Sequence, residues 1–135
     1  MKRLFLDANV LFTAAHNPTG KASLVIELGV RGQWDMVTSS LAVEEAKRNL
    51  SVKFPDCLPR LEVLLNGMKV EPSASGRACP IDLPEKDRPI FLTAVRCKAT
   101  HLVTGDVRHF GPFMKEPAQT GGMIITTVAD LLEVL

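Results

Sequence analysis

Asp7, Glu45, Asp87 and Asp106 each stand where a strand or a turn feeds into a helix. Asp7 ends the apolar run Leu4-Phe5-Leu6, and Asp106 ends the run Leu102-Val103-Thr104-Gly105. Carboxylates at the C-terminal ends of parallel strands face one crevice, and open α/β sheets bind ligands there. Two carboxylates ~5 Å apart repel by roughly 3 kcal/mol at an effective dielectric of about 20. A divalent cation relieves that repulsion. Mg²⁺ and Mn²⁺ prefer oxygen ligands, so four converging acids point to metal-assisted chemistry.

Each acid also has a plainer reading. Asp7 and Asp106 are residue types that form turns or cap helices. Asp87 can interact with the positive end of the helix it precedes. Glu44 and Glu45 both lie on one helix, and adjacent helical residues point about 100° apart. Only one of the two can face the crevice, and the pattern leaves the choice open. Asn9 can hold Asp7 or contact a water, or serve as a turn residue. What sets the four acids apart is the strand-end position they share.

The elements that must position them follow from the apolar pattern. Lys2 to Leu6 reads as a first buried strand, with a brief helix over Val10 to Ala15. Asn17-Pro18-Thr19-Gly20 breaks the chain, and a second helix runs from Ala22 to Arg31 with Gly32 as its stop. Trp34 to Thr38 is a second strand. Ser39 or Ser40 caps a helix over Leu41 to Leu50. Leu58, Leu61, Leu64 and Leu65 recur at helical spacing before Gly67. Met68 to Val70 is a third strand, and Glu71 to Pro84 a loop. Pro89 opens a helix reaching Lys98, followed by a strand over His101 to Thr104. Val107 to Gly122 is expected to be irregular. Met123 to Thr126 is a fifth strand, and Thr127 caps a last helix that runs to the chain terminus.

Strands alternating with helices imply right-handed βαβ units and a parallel sheet covered on both faces. The expectation is an α/β, three-layer, Rossmann-like fold with a central parallel sheet of four to five strands. At 135 residues, a single domain over 1–135 is expected. The net charge of +1 leaves any polyanion-binding surface to local basic clusters. Cys57, Cys79 and Cys97 are odd in number and make no C-x-x-C pair, which disfavours a disulfide framework or a zinc ribbon and fits a reducing cytoplasm. No apolar run suits a signal-peptide core or a membrane span. No Gly-rich nucleotide loop is present.

The residues resemble a known family. Leu4-Phe5-Leu6-Asp7-Ala8-Asn9-Val10-Leu11 is similar to the first motif of the PIN domain, the metal-dependent nuclease fold that includes VapC-type toxins. Val37-Thr38-Ser39-Ser40-Leu41-Ala42-Val43-Glu44-Glu45 resembles the second. The run from Asp87 through Ala94 to Leu102-Val103-Thr104-Gly105-Asp106, then His109-Phe110, resembles the third and fourth. The resemblance spans nearly the whole chain. It implies Asp7, Glu45, Asp87 and Asp106 as catalytic metal ligands, with Thr104 as a supporting hydroxyl and Asn9 as an accessory group. Glu44 remains an alternative to Glu45. Asp82 and Glu85 are decoys beside Asp87, which fits the spacing to Ala94 better.

The resemblance further implies endonucleolytic cleavage of RNA with Mg²⁺ or Mn²⁺, through a water whose pKa the metal lowers. It implies a toxin of a toxin–antitoxin pair, an antitoxin partner and a homodimer. Lys47, Arg48, Arg88 and Arg108 follow the acids closely and are candidate phosphate contacts. His109 is near Asp106 and could contact a phosphate, though an ordinary loop histidine is the leading reading, and Trp34 reads as a packing residue. With no Tyr and one Trp, base-stacking platforms look poor. Two other classes compete. A haloacid-dehalogenase-like phosphatase would want Asp-x-Asp where this chain has Asp7-Ala8-Asn9. A catalytically weak binding or scaffold protein would have little reason to keep four mutually repelling acids.

Overall fold

A computed structural model of the chain describes residues 1–74, 78–114 and 116–134. It is a three-layer α/β structure around five parallel strands in the order β3-β2-β1-β4-β5. The strands are β1 (Arg3–Leu6), β2 (Asp35–Ser39), β3 (Lys69–Glu71), β4 (His101–Val103) and β5 (Ile124–Thr126). The helices are α1 (Ala8–His16), α2 (Lys21–Val30), α3 (Ser40–Lys53), α4 (Leu58–Leu65), α5 (Arg88–Arg96), α6 (Val107–Phe110) and α7 (Val128–Glu133). Among the described residues no helix is long and apolar enough to cross a membrane.

β1 is the central strand because it is apolar on both faces. Leu4, Phe5 and Leu6 have no exposed surface, and Leu102 and Val103 of β4 match them. The register sets Leu6 beside Val103 and Phe5 beside Val37. The edge strand β3 is short and carries an exposed Lys69 paired with the half-buried Glu71, a composition that discourages pairing with another chain.

From β1 the chain moves outward to β2 and β3, then crosses back to the other side of β1 to form β4 and β5. The direction of winding therefore reverses between β1 and β4. Such a switch point opens a crevice at the C-terminal ends of the two strands. Asp7 directly follows β1, and Thr104-Gly105-Asp106 directly follows β4.

The helix ends follow local chemistry. Ser39 caps α3, its Oγ accepting from the Ala42 N–H at 3.1 Å. Thr127 caps α7 through the Asp130 N–H. Gly32 ends α2 at φ 93°, where its N–H and that of Gln33 reach back to the carbonyls of Gly29 and Leu28. Trp34 packs as expected: it is buried, and its indole N–H donates to the Val25 carbonyl.

Two expectations need correction. The stretch after Asp106 is not irregular throughout, because Val107–Phe110 forms α6 and Gly111–Phe113 a 3₁₀ turn. A single helical turn carries no periodic signal, and Pro112 and Gly111 masked it in the sequence. Helix α3 also continues to Lys53, three residues past Leu50, since Ser51 bonds back to the Arg48 carbonyl instead of breaking the helix. Parts of the expected loop and of the chain terminus, residues 75–77, 115 and 135, lie outside the described residues.

Candidate metal centre

Asp7, Glu45, Asp87 and Asp106 all line one crevice of about 750 Å³. Asn9, Phe12, Thr13, Arg48, Lys53 and Lys86 are among the other residues around it. Four segments far apart in sequence thus bring their acids to one place. Glu45 is on this wall. Glu44 is exposed, as Glu45 is, but does not line the crevice and pairs with Arg48 at 3.4 Å. Asp82 and Glu85 are exposed and do not line the crevice.

Asp7 is the most buried acid, 5% exposed. Its Oδ1 accepts from the Ala8 N–H at 2.7 Å and caps α1. Its Oδ2 accepts from the Thr104 hydroxyl at 2.8 Å and from Asn9 Nδ2 at 3.3 Å. Burial pushes the Asp7 pKa up to about 6. The bonds from Thr104 and Ala8 oppose that rise, and the charges of Glu45 and Asp87 add to it.

Thr104 joins the two strand ends. Besides donating to Asp7, its hydroxyl accepts from the Asp106 N–H at 3.1 Å. Asn9 clamps the same junction from the other side, its Oδ1 accepting from the Gly105 N–H at 2.6 Å. A β-carbon on Gly105 would stand 3.2 Å from that Asn9 oxygen, so a larger residue there would push the clamp open. The two accessory residues expected from the sequence are therefore structural links between Asp7 and Asp106.

Asp87 ends a 3₁₀ turn, Glu85–Asp87, and α5 starts at the next residue. Burial raises its pKa, and the nearby Asp106 charge raises it further. Asp106 caps α6. Burial would raise its pKa too. Hydrogen bonds from the His109 backbone and imidazole, with the charges of His109 and Lys86, hold it below the usual carboxylate range.

His109 is not the bystander expected from the sequence. Its Nδ1 lies 2.8 Å from Asp106 Oδ2 and 3.1 Å from Asp87 Oδ2. The contact with Asp106 is a hydrogen bond, and with Asp106 ionised Nδ1 is the donor. The N–H does not point at Asp87, whose Oδ2 is buried and accepts no hydrogen bond. Such an orphaned anionic oxygen costs about 1–3 kcal/mol or more when nothing satisfies it. A divalent cation fits this donor set: hard carboxylate oxygens, crowded, with one of them unpartnered.

The cations around the crevice differ from the expected set. Arg48 lines it, but Lys47 pairs with Glu62 at 2.9 Å. Arg88 donates to the Leu83 carbonyl, and Arg108 is exposed outside the lining. Lys53 and Lys86 line the crevice instead, and among the described residues neither forms an ion pair. Lys53 lies over the Phe12 ring, 5.7 Å from its centre. Phe12, His16 and Phe54 form an aromatic cluster at that end of α1 and α3. Lys86 was readable in principle, as it adjoins Asp87. Lys53 was not, because the helix carrying it was expected to stop before it.

Comparison with known proteins bears on the fold. No protein-family model and no curated protein matches the chain. Solved structures do. VapBC2 from Rickettsia felis, bound to a DNA fragment from its promoter, aligns with a TM-score of 0.65 at 14% identity, covering 93% of this chain and 98% of the other. FitAB bound to an IR36 DNA fragment aligns at 0.61 and 15% identity, covering 93% and 94%. The fold is that of a PIN domain. VapBC-1 from nontypeable Haemophilus influenzae aligns at 0.56 and 14% identity, covering 94% and 98%. The PIN fold thus extends over nearly the full length of this chain, and its switch-point crevice is the one the four acids line.

Proposed function

We propose that this chain is a metal-dependent endoribonuclease and the toxin of a toxin–antitoxin pair. The observation that carries the reading is the crevice at the PIN switch point. Four acids converge there, and one carboxylate oxygen is buried without a partner. The likeness to the solved VapBC and FitAB structures supports the toxin role and an antitoxin as partner. The family resemblance of the motifs adds RNA as substrate and a homodimer as the working form.

Asp7, Glu45, Asp87 and Asp106 would hold the ion, Mg²⁺ or Mn²⁺. When bound, it supplies a Lewis acid for the phosphoryl oxygen and a water of lowered pKa. The protein does the rest. Thr104 and Asn9 tie the Asp7 carboxylate to the backbone at Gly105 and Asp106, so little reorganisation of these two segments is needed on binding. Arg48, Lys53 and Lys86 offer positive charge to the phosphates flanking the scissile bond. The local basic cluster matters because the net charge of +1 provides no general attraction for RNA.

The test is cleavage of a mixed RNA substrate by purified protein. Activity is expected with Mg²⁺ or Mn²⁺, none with EDTA, and a loss of at least 100-fold in Asp7→Asn and Asp87→Asn, the scale of losing a charge-stabilising group. Cleavage that persists with EDTA, or in either variant, contradicts the proposal.

A further inference from the structure

His109 stands inside the acid cluster, and hydrogen bonding to Asp106 does not account for its whole position. One donor atom each from Asp87, Asp106 and His109 lies within 4.8 Å of the other two. Neighbouring ligands on an octahedral ion with bonds of ~2.1 Å stand about 3.0 Å apart. The two spacings around Nδ1, 2.8 and 3.1 Å, match such edges. Asp87 Oδ2 faces this nitrogen without sharing a proton with it. With its proton moved to Nε2, Nδ1 presents a lone pair beside the unpartnered Oδ2, and a divalent cation then satisfies both atoms together with Asp106. The imidazole is also held in place: Asp106 caps α6, and Phe110, the next residue, is wholly buried.

The geometry points to His109 Nδ1 as a ligand of the divalent ion, beside Asp87 and Asp106. This rests on the reading of the crevice as a metal centre, and it adds a nitrogen to an otherwise all-oxygen donor set. The nitrogen has a consequence for metal choice. Imidazole suits the transition metals, whereas Mg²⁺ prefers oxygen and retains its waters. The chain therefore favours Mn²⁺ over Mg²⁺, and His109 is the source of the preference. The competing role is that of a prop, orienting Asp106 by hydrogen bonding from outside the ion's ligand shell.

Electron spin-echo spectroscopy of the Mn²⁺-loaded chain separates these roles. A coordinated imidazole gives a ¹⁴N modulation of the Mn²⁺ echo, and labelling the histidines with ¹⁵N replaces it with a ¹⁵N signal. Both are expected in the wild type. The labelling arm needs no substitution, so it stands even if a variant misfolds. His109→Ala and His109→Gln, checked for folding by circular dichroism, are each expected to lose the modulation. Each should also weaken Mn²⁺ binding about 10-fold or more in calorimetry, with Mg²⁺ binding changed less than about 3-fold. Gln restores a donor to Asp106 but not a ligand nitrogen, so restored Mn²⁺ affinity in His109→Gln would establish the prop and overturn the ligand. Mn²⁺ binding without ¹⁴N modulation in the wild type overturns the inference and leaves the nuclease reading standing. The same holds for modulation that survives in His109→Ala, since His16 and His101 are then its source. A wild type that binds no Mn²⁺ overturns both.

Discussion

Asp7 shows at the scale of one residue what the site costs the fold. Its carboxyl is buried beside two other acids, and its pKa stands at about 6 in place of 3.8. The folded protein therefore binds this proton more tightly than the unfolded chain does. The stabilisation is complete below the ordinary carboxylate value and is lost as pH rises through about 6. A shift of that size corresponds to roughly 3 kcal/mol, in the absence of metal. Asp87 acts in the same direction. Asp106, held low, acts oppositely: its contribution is present at neutral pH and is lost in acid as the pH falls through its depressed value. Asp7→Asn removes the ionisation, at the expense of the bond that Thr104 donates, worth about 1 kcal/mol. In EDTA at pH 7.5 the variant is expected to be more stable than the wild type by about 2 kcal/mol in urea denaturation, and to lose the slope between pH 4 and 6. A less stable Asp7→Asn at pH 7.5 would mean that Asp7 is not strained by burial. A residue that is unfavourable for folding yet retained at the crevice is what a functional site looks like energetically.

At the scale of elements, most of the fold could be read from sequence because each strand is a short apolar run and most helices carry caps. Asp7, Asp87 and Asp106 were readable for the same reason: they occupy strand and helix ends, and ends are marked by Asp, Ser, Thr, Gly and Pro, whereas Glu45 lies inside α3 and the sequence left it open against Glu44. The rest lacked such marks. Helix α6 is one turn long, so the place of His109 between Asp106 and Asp87 had no periodic signature. Lys47 and Arg48 are adjacent on α3, and only the fold decides that one meets Glu62 and the other the crevice. The sequence puts the end of α5 near Lys98 but carries no mark of the strain there. Lys98 has φ 59° and is the only described non-glycine residue at positive φ. Its N–H and that of Ala99 bond to the carbonyls of Val95 and Ala94, closing the helix as Gly32 closes α2. A left-handed lysine costs about 1–2 kcal/mol, part of which glycine gives back through its freer unfolded chain. Lys98→Gly is expected to raise stability by about 0.5–1 kcal/mol, read as a higher urea midpoint, with RNA cleavage unchanged. A lower midpoint would show that the lysine side chain holds the turn.

For the whole molecule, the switch of winding direction between β1 and β4 decides where chemistry can occur. The order β3-β2-β1-β4-β5 places two strand ends side by side, and Thr104 and Asn9 tie them into one unit carrying Asp7 and Asp106. Helix α3 brings Glu45 to it, and the 3₁₀ turn before α5 brings Asp87. The PIN fold and the acid crevice are thus one arrangement seen at two scales. The decisive measurement is anomalous diffraction from a crystal soaked in Mn²⁺. The account predicts a peak in the crevice, within bonding distance of carboxylate oxygens from Asp87 and Asp106 and adjoining Asp7 and Glu45. A fully soaked crystal of an RNA-cleaving preparation with no peak there, or with its peak at another site, would contradict it.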